Sequence, residues 1–116
     1  MSDADRLRSL ESRVRALEAL TLVDTFVTFR DGLTTPSVGG ARKFATANTA
    51  PTTITAFLEG KPGQEIIVKI GDANTTIDFT GTTLKGNAGA NWSPGSGDFM
   101  RCTFDGTNWL CQITEI

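Results

Sequence analysis

Two copies of one six-residue pattern, seven residues apart near the N-terminus, constrain this chain more than any other stretch. Arg6, Leu7, Leu10 and Glu11 form the first copy; Arg13, Val14, Leu17 and Glu18 form the second. With Leu7 and Val14 at heptad position a, Leu10 and Leu17 fall at d, which makes a narrow apolar seam of the kind one helix presents to another. Arg6 and Arg13 then lie at g, and Glu11 and Glu18 at e. From those flanks an Arg stem can cover the seam while its head reaches a carboxylate on a neighbouring helix.

A β-branched residue at a with Leu at d leans toward two strands. The doubled Arg/Glu pattern, however, resembles the trimerisation motif of short coiled coils, and its recurrence in consecutive heptads favours three. A helix docked on its own domain would show a wider apolar face than a and d alone. Ser2 with Asp5 three residues later has the form of an N-cap, so the helix is expected to begin near Asp3. The register ends where the next a and d positions become Thr21 and Asp24. The expected domains are a trimerisation helix over 1–22 and a β domain over 23–116. Two heptads are marginal alone in water, so the β domain must also help hold the copies together.

From Val23 onward, short apolar and threonine-rich runs alternate with Gly, Pro, Asn and Asp, which is an all-β signature. Strands are expected over 25–30, 42–46, 52–58, 64–70, 75–79, 82–85, 98–104 and 108–114. Thr52-Thr53-Ile54-Thr55-Ala56-Phe57 and Thr75-Thr76-Ile77-Asp78-Phe79 echo one another, with Thr82-Thr83-Leu84 behind them, which is ordinary strand composition with a weak hint of stacked layers. Phe104-Asp105-Gly106-Thr107-Asn108-Trp109 places an Asp-Gly turn between two alternating runs, the strongest short-range hairpin signal. Met100, Cys102 and Phe104 should share a face with Trp109, Cys111 and Ile113. A four-residue loop over 105–108 sets Cys102 opposite Cys111, and a two-residue loop makes them diagonal neighbours. The expected fold is therefore mainly β: a short N-terminal α-helix forming a trimeric parallel coiled coil, then a compact antiparallel β domain, a sandwich or a trimeric β-prism.

The residue inventory narrows the chemistry. Histidine and tyrosine are both absent, which removes the commonest general base and metal ligand, and two cysteines cannot close a zinc site. No catalytic, cofactor or metal residues are expected. Asp72, Asp78 and Asp98 could pair to cleave a glycosidic bond only by converging in the fold, and each sits where a turn cap or a solvated side chain is the usual explanation. The net charge is -2, with four basic and four acidic residues in the first twenty and seven against nine in the rest. That balance gives nucleic-acid binding no electrostatic support. The longest aliphatic run, Ile66-Ile67-Val68, is too short for a bilayer, so no membrane is expected; nor does the acidic N-terminus resemble a signal peptide.

Two readings stand for Cys102 and Cys111: small core residues in a reducing cytosol, or a cross-strand disulfide in a particle that lives outside a cell. Trp92, in the Gly-rich stretch 86–97 between Asn91 and Ser93, is either a platform for a sugar or partner, or a plug at the bottom of its own trimer.

Several pieces of the β region resemble a small module that recurs in bacteriophage virion proteins, at the ends of tail spikes and fibres and in capsid-surface proteins. They are Thr35-Pro36-Ser37-Val38-Gly39-Gly40, Asn48-Thr49-Ala50-Pro51-Thr52-Thr53-Ile54, Gly63-Gln64-Glu65-Ile66, Asn74-Thr75-Thr76-Ile77-Asp78-Phe79 and the final Asp-Gly hairpin. The resemblance covers roughly two-thirds of the chain and implies a homotrimeric module after a coiled-coil stem. It leads to the expectation of a non-enzymatic structural protein, a capsid decoration protein or head fibre, made in the host cytoplasm and resident on the virion. Its expected partners are its own copies and other virion proteins such as the capsid protein. The alternative is the receptor-binding tip of a tail fibre or spike, with Trp92 touching host surface glycan.

Overall fold

The computed structural model describes residues 26–116. Eight strands follow in chain order: β1 (Val27–Thr28), β2 (Lys43–Ala45), β3 (Thr52–Ile54), β4 (Glu65–Lys69), β5 (Thr75–Ile77), β6 (Leu84–Lys85), β7 (Phe99–Phe104) and β8 (Trp109–Thr114). Each falls inside one of the eight runs expected from composition. Several are shorter, because Gly, Pro and Asx turns interrupt the ladder early.

The fold class differs from expectation in two ways. Among the described residues no helix reaches seven residues, and the only helical element is the 3-10 turn Asn87–Gly89. The expected coiled coil of Arg6, Leu7, Leu10, Glu11, Arg13, Val14, Leu17 and Glu18 lies outside the described residues, and the architecture of the described residues is mainly β with no such helix. The second correction concerns strand direction. Four pairings are parallel (β1 with β2, β2 with β4, β3 with β5, β6 with β8). Two are antiparallel, β4 with β7 and β7 with β8. The domain is therefore mixed rather than antiparallel.

The β2–β4 and β3–β5 parallel pairs arise because the chain alternates there between two layers. A six-stranded sheet runs β1-β2-β4-β7-β8-β6, and a two-stranded sheet holds β3 and β5. After β2 the chain visits the small sheet at β3, returns to β4 alongside β2, and visits it again at β5 alongside β3. A crossover through another layer brings a strand back in the same direction, whereas a tight hairpin reverses it. The Thr-Thr-Ile echo is the small sheet itself, paired in register as Thr52 with Thr75, Thr53 with Thr76 and Ile54 with Ile77.

The core lies between the layers. Ile54 and Ile77 face inward from the small sheet; Phe44, Ile66, Val68, Met100, Cys102 and Trp109 face inward from the large one, and all are buried. Aromatic rings close one end. Phe29 stacks on Phe44 with centroids 5.0 Å apart, Phe57 meets Trp109 edge-on at 5.7 Å, and Phe104 stacks on Trp109 at 4.8 Å. Gly60 is required there, since a Cβ would sit 2.4 Å from Trp109 Cζ2. At the opposite turn, a Cβ on Gly71 would lie 2.3 Å from the Thr46 carbonyl oxygen.

Polar side chains join the turns. The buried Asn48 donates from Nδ2 to Thr75 Oγ1 at 2.9 Å and accepts at Oδ1 from the Gly32 amide at 2.9 Å. Its backbone carbonyl accepts from Asn74 Nδ2 at 2.9 Å. Gln64 Nε2 donates to the Val38 carbonyl at 2.7 Å, while its Oε1 accepts from the Lys61 amide at 3.0 Å. Asn48, Gln64 and Asn74 all belong to the sequence pieces quoted above, and here they act as cross-links between loops.

Candidate functional site

The structure separates the residues nominated from sequence. Trp92 is buried at 3% exposure, its backbone is paired to Ile77 by hydrogen bonds of 2.8 and 2.9 Å, and its indole Nε1 donates to Glu115 Oε1 at 3.0 Å. It is a plug in its own chain and offers no platform to a sugar. The loop's small polar residues suggested exposure, but the β5 edge gives the Trp92 backbone a partner, and that pairing carries the ring inward.

Cys102 lies directly opposite Cys111, with Phe104 opposite Trp109, as the four-residue loop requires. Both thiols are free and buried. Burial pushes the Cys102 thiol well above its ordinary value, and a hydrogen bond with Cys111 and that residue's charge push the same way. A thiol so placed is almost entirely protonated at neutral pH and is a poor nucleophile.

The three nominated acids do not form one cluster; each serves its own turn. Burial alone would raise the Asp72 carboxyl, but hydrogen bonds from the Thr46 hydroxyl, the Asn48 and Asn74 amides and the Thr75 hydroxyl outweigh it and hold it below the ordinary 3.8. The Thr80 hydroxyl and amide lower Asp78 likewise. Asp98 accepts from the Gly95 amide at Oδ2 and from the Ile116 amide at Oδ1, both at 2.9 Å. Outside this trio, Asp31 is lowered by the Thr49 hydroxyl and amide, and Asp105 by the Asn108 and Thr107 amides. Among the described residues no group of three or more metal-ligating side chains gathers.

The feature that remains is the outer face of the large sheet. Strand alternation puts Glu65, Ile67 and Lys69 of β4, Phe99 and Arg101 of β7, and Leu110 and Gln112 of β8 on the side away from the core. Phe26, Ile67, Lys69, Gly97, Phe99 and Ile116 line a groove of about 270 Å³ there. Phe26 is 38% exposed and Ile116 89%. The ammonium groups of Lys43 and Lys69 lie 5.6 and 5.9 Å from the centre of the Phe26 ring, close enough for a cation–π attraction. The Asp98 bond to the Ile116 amide fixes the position of this last residue.

None of these groove residues was singled out from sequence, yet a signal existed. In a strand with one wet face, Ile66-Ile67-Val68 must turn its middle residue away from the core.

Family models, curated proteins and solved structures give no significant match to the chain. The outer face is therefore read from its own chemistry, an apolar groove with the Lys43 and Lys69 cations beside its Phe26 ring.

Proposed function

We propose that the chain is a non-enzymatic structural protein of a bacteriophage particle, a homotrimer on the virion surface serving as a capsid decoration protein or head fibre. One observation carries the reading: among the described residues an apolar groove lies open on the outer face of the large sheet, while the nominated acids are committed to turns and the thiols to the core. An apolar surface next to an otherwise closed core is what an assembling subunit presents. Three copies are supported by the doubled spacing of Arg6 to Glu11 and Arg13 to Glu18, and the virion setting by the motif pieces in which Asn48, Gln64 and Asn74 cross-link loops.

The alternative, a glycan-reading tip, loses its candidate contact, since Trp92 is buried. The test is sedimentation of the purified chain followed by incubation with empty capsids. A three-chain mass and binding at a multiple of three copies are expected. A one-chain mass, or a glycan array that lights up while capsids stay bare, would sink the proposal.

A further inference from the structure

We infer that Cys102 and Cys111 form a two-electron redox site: a small disulfide such as oxidised glutathione converts the pair into one cross-strand bridge that joins β7 to β8 within the chain. Spacing in the sequence allowed both a reduced core pair and a bridge; the structure supplies a geometry that serves either state. The inference goes beyond the virion reading and rests on neither that setting nor the number of copies.

Three observations carry it. The first is the kind of pairing. Cys102 and Cys111 are direct partners in the β7–β8 ladder. The Phe104 amide donates to the Gln64 carbonyl at 2.9 Å, and the Phe104 carbonyl accepts from the Gly63 amide at 2.7 Å, so the backbone of Phe104 is turned away from β8. Two residues along a strand the backbone points the same way. Cys102 therefore turns its amide and carbonyl toward β4, where it faces Ile66. The Trp109 amide donates to the Thr83 carbonyl, away from β7, and Cys111 follows two residues later. The cysteines thus meet as a non-hydrogen-bonded pair, the closer of the two antiparallel kinds, which in general holds Cα atoms about 4.5 Å apart. A disulfide spans Cα separations of about 4.4–6.8 Å.

The second observation is contact. Both side chains lie on the buried face, the two thiols are hydrogen-bonded to each other, and Cys111 Sγ donates to the Trp109 carbonyl at 3.6 Å. The third is enclosure. Gly86 lies so close over Cys111 that a Cβ there would sit 2.8 Å from the Cys111 carbonyl oxygen and 3.4 Å from its Cβ. A bulky adduct on Cys111 has no room in the closed fold, whereas a bridge needs none. The chain has only these two cysteines, so no third thiol of the same chain competes.

The electrons balance in two exchanges. Cys111, the less buried of the two, attacks one sulfur of the oxidant as its thiolate, and the other sulfur leaves as a thiolate. Cys102 then gives up its proton and attacks the Cys111 sulfur, expelling the second half of the oxidant. The pair loses two electrons and two protons, and the small disulfide becomes two thiols. Burial makes the closed hairpin slow to react, so exchange runs through its openings.

The test equilibrates the full chain with mixtures of reduced and oxidised glutathione, in buffer and in concentrated urea, starting from both the dithiol and the bridged chain. Mass spectrometry follows the loss of two hydrogens. Chymotryptic cleavage after Phe104 and Trp109 leaves the Cys102 and Cys111 fragments joined until they are reduced. In buffer the bridge is expected within one chain, without a lasting glutathione adduct, at a ratio of oxidised to reduced glutathione about tenfold or more below that needed in urea. By linkage, the bridged chain should also melt at a higher temperature than the dithiol. A bridge no more favoured in the fold than in urea, a stable glutathione adduct in the fold, or a disulfide between chains in place of the internal one overturns the inference.

Discussion

The two faces of the six-stranded sheet are built from the same strands and behave oppositely. On the inner face, Ile66, Val68, Met100 and Cys102 are fully buried; one residue along, Ile67, Phe99 and Arg101 look outward into the groove or solvent. The inner face is closed, with its aromatic rings stacked and its turns cross-linked by Asn48 and Asp72. The outer face keeps an apolar hollow and a bare isoleucine. Apolar area left in water gains nothing for the isolated protomer, which teaches that the inner face serves the fold and the outer face is available for association.

If that division is right, its largest consequence is at Trp109. Trp109→Ala removes a ring packed against Phe57, Phe104 and Gly60 and should cost about 3–5 kcal/mol in a urea melt. A loss no greater than that of an outer-face change would break the comparison. Next in size is Asn48→Ala, which strands the Gly32 amide and removes a buried partner of Thr75. A cost of about 1–3 kcal/mol is expected from the same melt.

Acid should act through the turns. The Asp31, Asp72, Asp78 and Asp105 carboxyls are all held below 3.8 in the folded chain. The unfolded chain therefore takes up protons first as pH falls. The stabilisation from these groups is fully present above the unfolded value and is lost as pH drops through the lower folded values. Thermal midpoints should stay level from pH 7 to about 5 and decline below about 4, less steeply in Asp72→Asn. A midpoint that rises on acidification would show that the turn carboxylates do not stabilise the fold. The smallest effect belongs to the outer face: Leu110→Ser, at a half-exposed position, should change protomer stability by no more than about 0.5 kcal/mol. A larger loss would mean that this face already takes part in holding the protomer.

Much of this architecture could be read from local chemistry. Alternation placed Met100, Cys102, Trp109 and Cys111 on one face, and Asp105-Gly106 announced the hairpin while leaving the cysteines either opposite or diagonal. These features were legible because pleat period and turn chemistry act over a few residues. The candidate groove was not, because it gathers Phe26, Ile67, Phe99 and Ile116 from four separate stretches of chain. Trp92 was left between two readings for a related reason, since its neighbours in sequence are small and polar while its neighbours in space are Ile77 and Glu115.

The sequence by itself determined which runs hold strands, which side chains share a face, and that the Asp residues serve turns, because steric and hydrogen-bonding preferences of adjacent residues decide those matters. Only the tertiary structure decided that β2 and β4, and β3 and β5, run parallel, and that Ile116 stands beside Phe26 and Phe99. Strand direction across layers follows the path of the whole chain through a shared core, and no local preference encodes that path.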